Sequence, residues 1–364
     1  MDDDLMERFR AAARACETTV FWHAPRTPVE VLRAVAQDAE AMDLTDWDVY
    51  AERGAVARVE AQVAELLGKP AAAFFPSGIM AQQAALRVWT DRSGSRRVAI
   101  PDLSHLLTHE DDGPRRLHGF EFEHLTTGRA TATADDLRRL SPGLGAALVE
   151  LPLRDAGCLL PSWDDLSALS EAAHELGVPL HADGARIWES QPFYDRPLPE
   201  LAALFDSVYV SFYKGLEALA GAALAGPPDV VDGARRWRKR MGGTLFHLTP
   251  LAVSALAGLR DRLPRMGDYA AWARRLATEL SARGLRPHPS PPHTNTFLVH
   301  VEGEADAIVE RVIAFMEREK LQPCGVWSAA DVPGYAVTEV AVHDAALEHD
   351  PARVAEWLVE VTGA

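Results

Sequence analysis

Cysteine is scarce in this chain, with only Cys16, Cys158 and Cys324 among 364 residues. An odd count with no ligand-spaced pair argues against a disulfide framework and fits a reducing compartment. Long apolar runs are missing too. The stretch Ala218–Ala225 is too short and too rich in alanine and glycine to cross a membrane. Positive charge is in deficit: 37 lysines and arginines stand against 53 aspartates and glutamates, for a formal net charge of -16. A field of that sign repels phosphate backbones, so nucleic acid is not an expected partner, and the longest basic stretch, Arg235–Arg240, is short. Low-complexity segments and solenoid-type repeats are absent. The N-terminus opens Met-Asp-Asp-Asp, the opposite of a basic signal-peptide start, and a cytoplasmic globular protein is expected.

What is present is enough apolar material for one large core and a smaller one, since 48% of the residues are hydrophobic. Residues 1–20 read as an acidic amphipathic helix or arm. Helical apolar spacing recurs over Glu30–Met42 and Gly54–Leu67. Strand-like and helix-like segments then alternate: strands at Ala71–Phe75, Arg97–Ile100, Ala146–Leu151, Val178–Ala182 and Ser207–Phe212, with helices entered at Gly78 and Ser162. Such alternation implies crossover connections and a mostly parallel sheet covered on both faces. After Pro250 long helices (Leu251–Leu263, Asp268–Arg283, Ala305–Glu319, Pro351–Val361) surround a strand at Asn295–Val301. The expected division is an arm over 1–20, a large α/β domain over 21–250 and a small α+β domain over 251–364.

Four segments carry chemistry. In Phe75-Pro76-Ser77-Gly78-Ile79 a strand meets a small-residue turn and a helix start, which leaves backbone N–H groups at the positive end of a helix dipole. Taken alone, such a turn is more often a plain helix entry. In His181-Ala182-Asp183-Gly184-Ala185-Arg186 the aspartate follows a buried strand, where open α/β sheets bind ligands; if buried, it needs a cationic partner. An N-cap aspartate with a surface arginine is the plainer alternative. Lys214 follows the strand Ser207–Phe212, and partial desolvation would make its amine a usable nucleophile; a snorkelling lysine reads the same way. His105, followed by His109 and Glu110, can stack on a planar ring or move protons. A zinc pair at that spacing lacks a third ligand, so no metal is expected.

Together, in this order, the segments resemble the threonine aldolase / β-eliminating lyase group of fold-type-I pyridoxal-phosphate enzymes. The likeness runs through Pro76-Ser77-Gly78-x-Met80-Ala81-x-Gln83, His105 with Glu110, His181-x-Asp183-Gly184-Ala185-Arg186, Lys214-Gly215-Leu216, Arg235–Lys239 with Gly242-Gly243, and Thr294-Asn295-x-Phe297. It covers about Asp48 to Val301. The resemblance implies that Lys214 carries pyridoxal 5'-phosphate as a Schiff base and that Ser77, Gly78 and Ile79 hold the phosphate. It further implies that His105 stacks on the ring, Asp183 keeps the ring nitrogen protonated, and Arg186 bonds the phenolic oxygen or a substrate carboxylate. Arg238 would reach the phosphate of a neighbouring subunit in a homodimer or homotetramer with shared sites. Lys214, His105 and Asp183 are then the expected catalytic set.

Departures from the group fall around the substrate. Its Arg-Ser-Asp-Thr stretch is Phe21-Trp22-His23-Ala24 here, its Tyr-Gly-x-Asp-Pro is Tyr50-Ala51-Glu52-Arg53-Gly54, and its Glu-Asn-Thr-His is Glu150-Leu151-Pro152-Leu153. The serine before the lysine is Tyr213, and no arginine occurs in Val337–Val340, where a carboxylate clamp is expected. His23, Arg26, Tyr50 and Arg186 are therefore the candidate substrate contacts. The expected reaction is retro-aldol cleavage of a β-hydroxy-α-amino acid to glycine and an aldehyde. β-Elimination or another Cα reaction on a modified or bulky amino acid is the alternative, and a cofactor-free binding protein is a third reading.

Overall fold

The segments Ala146–Glu150, Leu180–Gly184 and Ser207–Ser211 are buried at every position, as a strand covered by helices on both faces must be. In the computed structural model, which describes residues 3–140 and 142–364, they form the middle of a seven-stranded sheet. Its strands are β1 (Ala71–Phe75), β2 (Arg97–Ile100), β3 (Glu121–His124), β4 (Ala146–Glu150), β5 (Leu180–Gly184), β6 (Ser207–Ser211) and β7 (Ala222–Gly226), in the spatial order β1-β7-β6-β5-β4-β2-β3. Every pair from β6 to β3 is parallel, whereas β7 runs antiparallel to both β1 and β6. The expected α/β class is what is found.

Three strands differ from what was expected, and β3 is one that was not expected at all. β5 was expected to stop at Ala182; pairing with β6 continues through Gly184, so Asp183 lies inside the strand rather than after it. β7 was not expected as a strand at all. Its alanines and glycine give little β signal, but they suit a tightly covered position beside β1. A Cβ on Gly221, at the entry to β7, would lie 2.5 Å from the Phe74 ring.

The helix Gly78–Ser93 is buried on most of its circumference, glutamines included. Buried amides need partners, and Gln82 finds one in His181, whose Nε2 lies 2.7 Å from Gln82 Oε1. The other ring nitrogen of His181 is 2.8 Å from Ser207 Oγ, which also accepts from Trp89 Nε1 at 2.8 Å. Burial holds His181 neutral, with its pKa pushed down to about 3. This polar chain ties the helix to β5 and β6, which carry the site.

The chain divides into two units, Pro28–Pro264 and a smaller one that joins the first 27 residues to Arg265–Ala364. The expected boundaries fell elsewhere, near 20 and 250. In the smaller unit the helix Asp3–Arg14 buries Leu5, Phe9 and Ala12, and Arg8 makes two 2.6 Å bonds to Glu310. Thr18–Thr19 then pairs in parallel with Leu321–Gln322. The N-terminal segment thus belongs to the C-terminal unit. A four-stranded antiparallel sheet completes that unit, in the order Ser328–Ala329, Tyr335–Ala341, Thr296–Glu302, Arg286–His288. No helix among the described residues is long and apolar enough to cross a membrane.

One buried histidine makes the larger unit acid-sensitive. His118 stacks on Phe120 and meets Trp237 edge-on, and neither ring nitrogen has a hydrogen-bond partner among the described residues. Burial, then the Arg87 and Arg96 charges, push its pKa down to about 4. The unfolded chain therefore takes up a proton that the folded one refuses as pH falls from about 6.5 toward 4. His118→Phe should keep the stacking and remove roughly 2 kcal/mol of the stability lost between pH 7 and pH 5. Urea unfolding of both proteins at the two pH values checks this; identical pH dependence would contradict it.

Candidate active site

Parallel register places Glu150, Asp183 and Tyr209 side by side at the carboxyl ends of β4, β5 and β6. That is the edge at which open α/β sheets bind ligands. Asp183 is buried, and its Oδ1 accepts the Ala185 N–H at 3.0 Å. Burial raises its carboxyl above the usual aspartate value, while the Lys214 amine and the Ala185 N–H pull it back. Burial and the neighbouring Asp183 push Glu150 up to about 7. Lys214 follows β6 by three positions. Burial first, then the Arg186 charge, lower its amine below the usual lysine value, against the attraction of Asp183, Glu150 and Glu189.

Glu189 comes from the helix Ile187–Tyr194, one turn after Arg186. It is buried, and its Oε1 accepts the Gly215 N–H at 3.1 Å. A Cβ at Gly215 would lie 2.3 Å from that oxygen, so a larger residue after the lysine would displace the Glu189 carboxylate. Three carboxyl groups thus surround one amine and one guanidinium.

His105 opens the short helix His105–Thr108, and its N–H donates to Glu150 Oε2 at 2.9 Å. The other Glu150 oxygen accepts the Arg154 N–H at 3.1 Å, so one carboxylate fastens two loops. His105 Nδ1 lies 3.3 Å from Glu110 Oε1, and Gln83 Nε2 donates to Glu110 Oε2 at 2.8 Å. Glu110 is held on both sides, so it holds the imidazole in turn. His109 turns instead to Asp155, 2.7 Å away. Among the described residues no group of three or more His, Cys, Asp or Glu could hold a metal ion.

The turn after β1 has Ser77 in extended backbone at the N-cap of the helix Gly78–Ser93, with no side-chain capping bond. A Cβ at Gly78 would lie 2.0 Å from Tyr209 Oη, so backbone and phenol meet there. The Tyr209 and Tyr213 phenols are hydrogen-bonded to each other.

The other expected residues are more scattered. Arg238 is buried; its guanidinium donates to the Phe74 carbonyl and lies over the Phe75 ring. Its Nε, buried without a partner among the described residues, lies beside a cleft of about 1030 Å³ that Tyr50, Arg53, Arg236 and Lys239 also line. Tyr50 is exposed and meets Phe246 edge-on. His23 and Arg26 belong to the smaller unit, where His23 stacks on His343 with ring centres 4.1 Å apart. Sequence reasoning did not pick out Glu189 or Tyr209, took Gln83 only as part of the motif around the Ser77-Gly78 turn, and took Glu150 only as the start of a diverged motif.

A family model described as beta-eliminating lyase matches residues 28–304, well over half of the chain. The chain belongs to the β-eliminating lyase family. Low-specificity L-threonine aldolase 1 of Arabidopsis thaliana is 26% identical over 310 residues, 82% of this chain and 84% of that protein. Low specificity L-threonine aldolase of Escherichia coli K12 is 28% identical over 284 residues, 76% of this chain and 82% of that protein. Among solved structures, a putative L-allo-threonine aldolase of Listeria monocytogenes has 36% identity and a TM-score of 0.92, covering 98% of this chain and 99% of that one. A putative aromatic amino acid beta-eliminating lyase/threonine aldolase of Exiguobacterium sp. 255-15 has 36% identity and a TM-score of 0.89, covering 96% and 99%.

This β-eliminating lyase family member depends on pyridoxal phosphate, and its residues fit that group. A buried carboxyl faces a lysine of lowered pKa, a buried glutamate fixes a histidine beside them, and an uncapped helix start lies against a phenol pair. The close approach at Gly78 is directly testable. Gly78→Ala should cost about 1–3 kcal/mol through overpacking, because Tyr209 is buried and cannot swing away. Gly267→Ala, where nothing lies within 4 Å of the new Cβ, should leave stability within about 0.5 kcal/mol. Denaturant unfolding of both distinguishes them, and equal losses would contradict the packing described.

Proposed function

We propose that the protein breaks the Cα–Cβ bond of a β-hydroxy-α-amino acid by a retro-aldol reaction, releasing glycine and an aldehyde. The observation that carries this reading is the fixed His105: its Nδ1 side is committed to Glu110, so Nε2 remains as the acceptor for a proton. Retro-aldol cleavage needs such a base at the β-hydroxyl oxygen. The threonine aldolase names of the relatives support the same reaction.

Bound pyridoxal phosphate supplies an electron sink for the pair left at Cα when the bond breaks. In this proposal Lys214 presents the amine that holds the cofactor, its charge reduced by burial and by Arg186. Asp183 keeps the ring nitrogen protonated, and that cation in turn satisfies a carboxylate that burial would otherwise neutralise. The N–H groups of Ser77, Gly78 and Ile79 face the phosphate. His105 stacks on the ring and takes the β-hydroxyl proton at Nε2. The strand Tyr335–Ala341 contains no arginine, so the substrate carboxylate is assigned to Arg186, whose charge acts on Lys214 and Glu189.

The protein is proposed to act as a cytoplasmic homodimer or homotetramer. Trp47, Val49, Tyr50, Leu245 and Phe246 are all exposed on the larger unit. Buried Asp48 accepts the N–H groups of Leu248 and Thr249 at 2.9 and 2.7 Å and so pins the two loops that bear them. A second copy of the chain would cover this apolar face.

His105→Phe tests the reaction directly, because it keeps a ring for stacking and removes the base. Cofactor binding, read as a visible absorbance band, should survive, while kcat for aldehyde release falls about 10²–10⁴-fold. In Lys214→Ala the band itself should be lost or altered. Full aldehyde release by His105→Phe would contradict the assignment.

A further inference from the structure

The family resemblance places a serine before the lysine, and this chain has Tyr213 there. The larger residue changes what meets the phosphate turn. Tyr209 lies on β6 with its phenol against the first residue of the helix Gly78–Ser93, so close that a Cβ at Gly78 would be 2.0 Å away. Burial above all holds that phenol protonated, and it is hydrogen-bonded to the Tyr213 phenol. Tyr213 is 42% exposed, so this second phenol is not sealed in the core. Its ring centre is 5.9 Å from Lys214 Nζ. A chain of two phenols therefore runs from the start of an uncapped helix toward the lysine, and it ends in the Tyr213 hydroxyl. An anion at a helix N-terminus wants that kind of donor.

We propose that Tyr213, oriented by Tyr209, donates a hydrogen bond to the phosphate of the cofactor, taking over the position at which the family resemblance expects a serine. Tyr209 is a positioning residue; Tyr213 is the group that touches the ligand. This rests on the pyridoxal-phosphate reading above, and the test separates the two.

The full-length apoenzyme is titrated with pyridoxal phosphate and, separately, with pyridoxal, which has the same aldehyde and ring but no phosphate. Binding is followed by absorbance. Tyr213→Phe should weaken pyridoxal phosphate about 10- to 100-fold, the effect of losing a hydrogen bond to a charged group, and leave pyridoxal within about twofold. Tyr209→Phe should give a smaller loss of the same selective kind, since Tyr213 then keeps its hydroxyl but not its orientation. Equal affinity of Tyr213→Phe and wild type for pyridoxal phosphate would overturn the proposal. An equal weakening of both ligands would also overturn it, because Tyr213 would then act on the ring or on Lys214. A wild-type chain that binds neither aldehyde would overturn the cofactor reading itself, and the proposal with it.

Discussion

Asp183 sits inside a sheet with its carboxyl out of water, one backbone N–H for a donor and two further carboxyl groups, Glu150 and Glu189, buried nearby. Isolated charges in such a place are expensive, and the group either loses its charge or acquires a cation. Lys214 and Arg186 are the cations the chain supplies. With three acids and two bases in one dry region, each proton location depends on the others. In the proposed function the cofactor would complete that balance, since a protonated ring nitrogen would give Asp183 the partner its burial calls for.

Much of the surrounding architecture holds this balance in place. The register of β4, β5 and β6 sets Glu150 beside Asp183 and Asp183 beside Tyr209. Glu150 then fastens the backbone of both His105 and Arg154, so an acid near the lysine also positions His105. Glu189 fastens the backbone after Lys214 and packs its carboxylate against Gly215. The helix that follows the Ser77-Gly78 turn is anchored through Gln82 to His181, two residues before Asp183. Each site element is therefore tied to another by a buried hydrogen bond, the kind of support that keeps reacting groups within a narrow geometry.

Legibility from sequence followed the range of the interactions. Lys214, Asp183 and the Ser77-Gly78 turn could be read because each stands in or just after a strand, and their order along the chain resembled a known family. The partners that tune them could not. Glu150 and His105 are separated by 45 residues, Glu189 and Gly215 by 26, and Gln82 and His181 by 99. No local pattern encodes such pairs; they follow from register and helix placement. β7 was missed because alanine and glycine carry little strand preference, and the strand exists through its neighbours on both sides. The N-terminal helix was legible as a helix from its apolar spacing, but its attachment to Glu310 and to Leu321–Gln322 was not.

The direction of bond cleavage is decided at Cα by which group leaves, and the products record it. Incubating the holoenzyme with a panel of β-hydroxy-α-amino acids, small and aromatic, and quantifying glycine, aldehyde, ammonia and keto acid tests the account most directly. It predicts glycine and aldehyde in equal amounts with no ammonia. Ammonia and a keto acid without glycine would contradict it.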